Sequence, residues 1–319
     1  MASSGGTRAI VAAMAANAGI AVAKFVAFLV TGSASMLAES VHSVADTSNQ
    51  GLLLLGGRQA RKIADDEHQF GYGRERYFWS FIVALVLFTL GGLYSLYEGI
   101  DKLRHPHEIT SIEWAIGVLI VSLILESYSF RTAVVEARKV KGTRSWWGYI
   151  RRSRSPELPV VLLEDAGALF GLAMALVGVT LVAVTGDPMW DGIGTVGIGL
   201  LLLVIASVLT VEMRSLLIGE AATSEDITAI MDAVAGSEGV VRAIDVKTQH
   251  IGPEELLVAA KIEFDHSLNV GGVAAAIDRC EAAIRLAVPQ ALRIYLEPDL
   301  FDPDHVGSPD LPPDTGAIH

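Results

Sequence analysis

The chain has 319 residues, 51% of them hydrophobic, a mean hydropathy of +0.46 and a formal net charge of −12. That is too apolar for an ordinary soluble domain. The −12 falls entirely in the segment from Glu212 onward, and an acidic segment of this kind argues against nucleic acid and anionic headgroups as partners. A single cysteine, Cys280, excludes a disulfide framework and a cysteine-based zinc cluster.

Six apolar stretches approach the roughly 20 residues that a helix needs to cross a bilayer core. They cover 10–30, 36–56, 78–97, 114–129, 159–184 and 192–211. The first is long enough to stay in the bilayer, so it reads as a helix and not as a signal peptide. Lys and Arg concentrate in alternate connections. The second-to-third connection carries Arg58, Arg61, Lys62, Arg74 and Arg76, and the fourth-to-fifth carries eight more between Arg131 and Arg154. The opposite connections carry two at most. By the positive-inside rule both termini are cytoplasmic, as six spans require, in a multi-pass protein of the cell membrane.

The second stretch, SASMLAESVHSVADTSNQG, is the most polar. Glu39, His42 and Asp46 lie three and four residues apart, so they share one helix face. An ionisable group in hydrocarbon is expensive, and three on one stripe is a costly way to join helices. One turn apart, the His42 imidazole and the Asp46 carboxylate can reach one small cation, and nitrogen with oxygen suits Zn²⁺ and related transition ions. In the fifth stretch the adjacent acids Glu164 and Asp165 follow Pro159 by little more than a turn. In the first, Asn17 offers a neutral oxygen, read as interhelical glue, and Lys24 sits where it can snorkel toward the far end.

After Arg214 the periodicity changes. Helices are expected over 224–234, capped by Ser224, and over 270–287, with strands over 240–248, 256–264 and 292–296. This α-β-β-α-β order suggests a cytoplasmic two-layer α+β domain of ferredoxin-like type over 212–300. The Pro/Asp-rich end, 301–319, has a disordered composition. No glycine-rich phosphate loop is present, which argues against a nucleotide, and no His-Glu-x-x-His occurs in a span, which argues against an intramembrane metalloprotease and for a non-enzyme.

Taken together, these motifs resemble the cation diffusion facilitator family. TGSASMLAESVHSVADTSNQG is similar to its second helix, with His42-x-x-x-Asp46 in register with its ligand pair. DDEHQFGYGRERYF resembles its cytoplasmic loop, and 159–171 its fifth helix. The resemblance implies a six-helix α-helical membrane protein with a ferredoxin-like tail. It would be a homodimer in the lipid bilayer, exporting divalent metal, most often zinc, from the cytoplasm by proton antiport. The metal is then the transported substrate, and no prosthetic group is implied.

Zinc members usually carry His-x-x-x-Asp in the fifth helix; here Asp165 matches the Asp and Val161 stands at the His. The site would comprise His42, Asp46 and Asp165, with Glu164, Glu39 or a water as fourth ligand, and its oxygen content raises Mn²⁺, Fe²⁺ or Co²⁺ beside Zn²⁺. In the loop, Asp65, Asp66 and His68 match a secondary site whose second His is Tyr72 here. The tail positions Ile244, Lys261, Leu296 and Pro298 replace the family's binuclear ligands. Arg74 with Glu220 is a candidate charge interlock between loop and tail. A metal-binding sensor or an uncoupled channel would use the same site.

Overall fold

The computed structural model describes residues 4–106, 109 and 111–302, with side chains from Ala18 onward. It divides into two compact units, Met1–Leu217 and Ile218–His319. The Asn17 side chain and residues 303–319 lie outside what is described.

The first unit is helical. Its elements are α1 (Ser4–Thr31), α2 (Ala34–Gln59), α3 (Glu75–Val86), a π-helical turn (Leu87–Leu93), α4 (Tyr94–Arg104), α5 (Ile112–Lys141), α6 (Trp146–Arg152), α7 (Glu157–Thr185) and α8 (Met189–Ile218). Among the described residues, four helices are long and apolar enough to cross a membrane: Glu75–Arg104, α5, α7 and α8. The apolar Ala18–Thr31 stretch of α1 is shorter, and α2, at 26 residues, does not reach the same apolarity because of its polar stripe. Pro159 is accommodated in the first turn of α7, where its missing N–H has no intrahelical partner to lose.

Two boundaries differ from the sequence expectation. Helix α5 continues past Ser129 to Lys141, so Arg131, Arg138, Lys139 and Lys141 sit on a helix rather than in a loop. An apolarity window stops at the first basic cluster, whereas the backbone hydrogen bonds continue wherever water can solvate the side chains. For the same reason α8 runs on to Ile218, and the division between units falls there and not at 211. Helix α6 was not anticipated; Ser145 caps it by accepting from the Gly148 amide at 3.0 Å. Arg76, expected in a loop, lies in the first turn of α3 and pairs with Glu157 of α7.

Helix α2 packs against α1, α3, the π turn, α4 and α7. Its N-terminus is fixed by an acid from another helix. Asp191 of α8, fully buried, accepts from the Ala34 amide at 2.8 Å, the Ser33 hydroxyl at 2.8 Å and the Ser35 amide at 3.3 Å. A carboxylate on the exposed amides of a helix start satisfies orphan donors and complements the helix dipole. That seals the end of α2 onto α8.

The second unit comprises α9 (Ser224–Ala235), β1 (Val240–Gly252), β2 (Glu255–Phe264), α10 (Val270–Ala287) and β3 (Ala291–Pro298). The sheet order is β1-β2-β3, with β1/β2 antiparallel and β2/β3 parallel. Leu256, Val258, Ala260, Ile262 and Phe264 alternate along β2 and bury one face against Ile230 and Val234 of α9 and Ala276, Cys280 and Ile284 of α10. The cap of α9 is Thr223, whose hydroxyl accepts from the Asp226 amide at 3.2 Å, and not Ser224. Both residue types can cap, and the chain direction entering the helix decides between neighbours.

Candidate metal site

The polar stripe of α2 is buried. His42 is fully buried, and its Nε2 lies 3.6 Å from Asp46 Oδ2. That separation is too long for a good hydrogen bond. It is close to the roughly 3.3 Å between two ligands that each hold one tetrahedral ion at about 2.0–2.1 Å. Both His42 ring nitrogens and Asp46 Oδ1 have no hydrogen-bond partner although they are buried. Buried polar atoms are nearly always paired, and these three exceptions sit one helical turn apart on one face. Behind His42 lies the π turn: a methyl at Gly91 would fall 3.9 Å from His42 Nδ1. Extra residues in a helical turn often mark functional positions.

The two acids of α7 face different neighbours. Glu164 is buried, and its Oε1 accepts from Asn49 Nδ2 of α2 at 2.6 Å. Asp165 Oδ2 accepts from Ser129 Oγ of α5 at 3.0 Å. Adjacent residues on a helix point about 100° apart, so one acid turns to α2 and the other to α5. The charged groups acting on Asp46 are Glu126, Lys24, Asp165 and Glu39. Glu126, buried on α5 one turn from Ser129, is one of these groups, and the sequence reading passed over it. The rule that every ionisable residue in a span needs a reason would have found it. Among the described residues, no three His, Cys, Asp or Glu side chains converge closely enough to hold one ion. The His42/Asp46 pair is a candidate half-site, with Asp165 and Glu126 among the charged groups around it.

Lys24 does not snorkel. It is fully buried, donating to Glu39 Oε2 at 3.1 Å and Ser43 Oγ at 2.8 Å. Its helix is too closely packed on α2 at this level for the ammonium to reach water, and a buried ammonium takes the nearest carboxylate.

The loop residues are differently engaged. Asp65 Oδ1 accepts from the amides of His68 at 2.7 Å and Glu67 at 3.2 Å, and Oδ2 from the Tyr72 hydroxyl at 2.6 Å. Those bonds hold the Asp65 carboxyl below its usual range, the Tyr72 bond most of all, and push the Tyr72 hydroxyl up to about 12. His68 stacks on Tyr72 with ring centroids 4.4 Å apart, and Asp66 is exposed. Both oxygens of Asp65 thus serve the loop's own closure. Arg74 precedes α3 in the first unit, whereas Glu220 lies in the second, where its carbonyl accepts from the His250 amide at 2.8 Å. Lys261 of β2 is held by Asp299 at 2.8 Å, and His266 Nε2 lies 3.2 Å from Glu263.

The family model described as the cation efflux transmembrane domain matches residues 10–218, the whole helical unit from the start of its apolar sequence. The chain belongs to the cation diffusion facilitator, or cation efflux, family. This is a family of transporters and not of enzymes. Among curated relatives of this cation efflux protein, the Xenopus laevis protein named proton-coupled zinc antiporter SLC30A9, mitochondrial, is 37% identical over 76% of this chain and 44% of its own length. The Arabidopsis thaliana protein named metal tolerance protein C4 is 32% identical over 82% of this chain and 58% of its own. The Escherichia coli O127:H6 cation-efflux pump FieF is 27% identical over 89% of both chains. The chain thus spans less than half the length of the vertebrate antiporters that it matches.

Proposed function

We propose that this cation efflux protein exports divalent transition-metal cations from the cytoplasm in exchange for protons, with zinc as the principal substrate. The observation that carries the proposal is the buried His42/Asp46 pair, 3.6 Å apart with three unpartnered nitrogen and oxygen atoms. The names of the vertebrate relatives, zinc antiporters coupled to protons, support the same substrate and counter-ion. His42 supplies nitrogen and Asp46 oxygen. Asp165 completes the site when it turns from Ser129 of α5 toward α2, with Glu164 or Glu126 as fourth ligand. Val161 leaves this set one imidazole short of the usual zinc pattern, so Mn²⁺, Fe²⁺ and Co²⁺ belong in any substrate panel.

Metal binding requires a neutral imidazole and ionised carboxylates, so it releases protons, and protons arriving from the other side displace the metal. The six long helices would all span the membrane, α1 and α2 included. The second unit would be a cytoplasmic ferredoxin-like domain that pairs two copies, and Lys and Arg placement supports a cell membrane with both termini cytoplasmic.

The test is a metal panel in proteoliposomes with an internal pH reporter, comparing wild type with Asp165→Ala and His42→Asp. Wild type should move Zn²⁺ with opposite proton flux. Asp165→Ala should abolish both, and His42→Asp should shift the preference from Zn²⁺ toward Mn²⁺. Zn²⁺ transport at the wild-type rate in Asp165→Ala would refute the site, and metal flux without proton flux would refute antiport.

A further inference from the structure

Lys24 has no part in the metal site proposed above, yet it is a lysine buried in the helical unit. Its side chain is fully buried, and so is that of its partner Glu39. Burying an ion pair costs so much desolvation that apolar replacements are often as stable, so stability alone is a weak reason for it. Its surroundings suggest another. Glu39 is three residues from His42, and Ser43, the other acceptor of the Lys24 ammonium, is the next residue after His42. The ammonium is therefore anchored within one turn of the His42/Asp46 half-site. Among the charged neighbours of His42 and Asp46, namely Glu39, Glu126, Asp165 and Lys24, only Lys24 is cationic.

Glu39 is also boxed from the other side. Its Oε2 is taken by Lys24, and its Oε1, which has no hydrogen-bond partner, abuts the bare backbone of Gly171 on α7. A methyl at Gly171 would stand 2.7 Å from that oxygen. Three helices thus meet at one carboxylate, and the ammonium takes the one oxygen of it that is hydrogen-bonded.

We propose that Lys24 is a positioning residue for metal binding: a tethered cation that holds Glu39 out of the coordination sphere and keeps the affinity of the His42/Asp46 site low. This rests on the metal reading above. A fixed positive charge one turn away repels an incoming divalent ion, with twice the effect that it has on a monovalent one. It also denies the ion a third ligand from α2. For a carrier both effects are useful, because an ion that binds too tightly cannot be released.

The test measures Zn²⁺ affinity of the full chain in detergent by calorimetry, and the visible absorption of bound Co²⁺ as a report on ligands. Lys24→Met, which keeps the length and removes the charge, should bind Zn²⁺ at least about tenfold tighter and change the Co²⁺ band as Glu39 enters the sphere. In Lys24→Met/Glu39→Gln, both should return to wild type, the affinity within about threefold. A merely structural ion pair would not tighten metal binding. Unchanged or weaker Zn²⁺ binding in folded Lys24→Met overturns the proposal. If that variant does not fold, Lys24→Gln, which removes the charge and keeps a donor to Glu39, carries the same test with the same expected and overturning results. A tenfold loss in the double variant would make Glu39 a ligand and overturn the proposal. Zn²⁺ binding that survives His42→Ala/Asp46→Ala would instead sink the metal reading itself.

Discussion

Gly199 offers the sharpest test of how the helices are held together. A methyl built there would lie 2.6 Å from the Leu96 amide nitrogen, 2.9 Å from Leu96 Cα and 3.1 Å from the Gly92 carbonyl oxygen. All three are backbone atoms of the π turn and α4, so none can rotate aside. Ordinary contact begins near 3.4 Å, so α8 must retreat by about 0.8 Å for Gly199→Ala. A gap of that size along the crossing forfeits roughly a quarter to a half of each dispersion contact, and overpacking of this kind costs about 1–3 kcal/mol. Gly117 is the control, because a methyl there meets nothing within 4 Å. Both variants gain the same helix propensity of about 1 kcal/mol, which cancels in the comparison. At about 2–4 °C per kcal/mol for a unit of this size, the detergent melting points of Gly199→Ala and Gly117→Ala should differ by roughly 3–10 °C. Melting points within about 1 °C of each other would refute the close crossing of α4 and α8.

Two further outcomes follow from local geometry. In a double-mutant cycle of Asn49→Ala and Glu164→Ala, the coupling on stability should reach about 1 kcal/mol, because the 2.6 Å contact is a short, buried hydrogen bond. A coupling below about 0.5 kcal/mol, the level of an ordinary interhelical hydrogen bond in a membrane, would show that the two residues are merely adjacent. In the loop, Tyr72 should titrate near 12 in a difference absorbance titration against Tyr72→Phe, and fall toward 10 in Asp65→Asn. The sign follows from linkage. The raised Tyr72 value means its bond steadies the loop below pH 10 and is lost as pH rises through about 12, while the depressed Asp65 value means its share is lost as pH falls through the acid range. An unshifted Tyr72 titration in Asp65→Asn would exclude the bond.

Much of this protein could be read in its sequence, for identifiable reasons. Apolar runs near bilayer length mark helices because lipid forbids unpaired backbone, so α7 and α8 were legible to within a few residues except at the C-terminal end of α8. The alternation along β2 and the spacing of His42 and Asp46 are local periodicities, which a sequence carries directly. What depends on neighbouring elements was not legible. Lys24 could be placed on its helix, but only the packing of α1 on α2 decided that its ammonium meets Glu39 and not water. Glu164 and Asp165 could be read as a pair, and only the rotation of α7 sent one to Asn49 and the other to Ser129. Asp191 gave no local signal that it would cap α2, and Glu126 could be flagged as an acid in a span but not assigned its neighbours, since an acid on an apolar helix takes its meaning from what faces it. Sequence fixes which residues share a face, because that is set by 3.6 residues per turn. Which face meets which is set by how whole helices pack, and here that packing gave Glu39 to the Lys24 ammonium and left His42 beside Asp46.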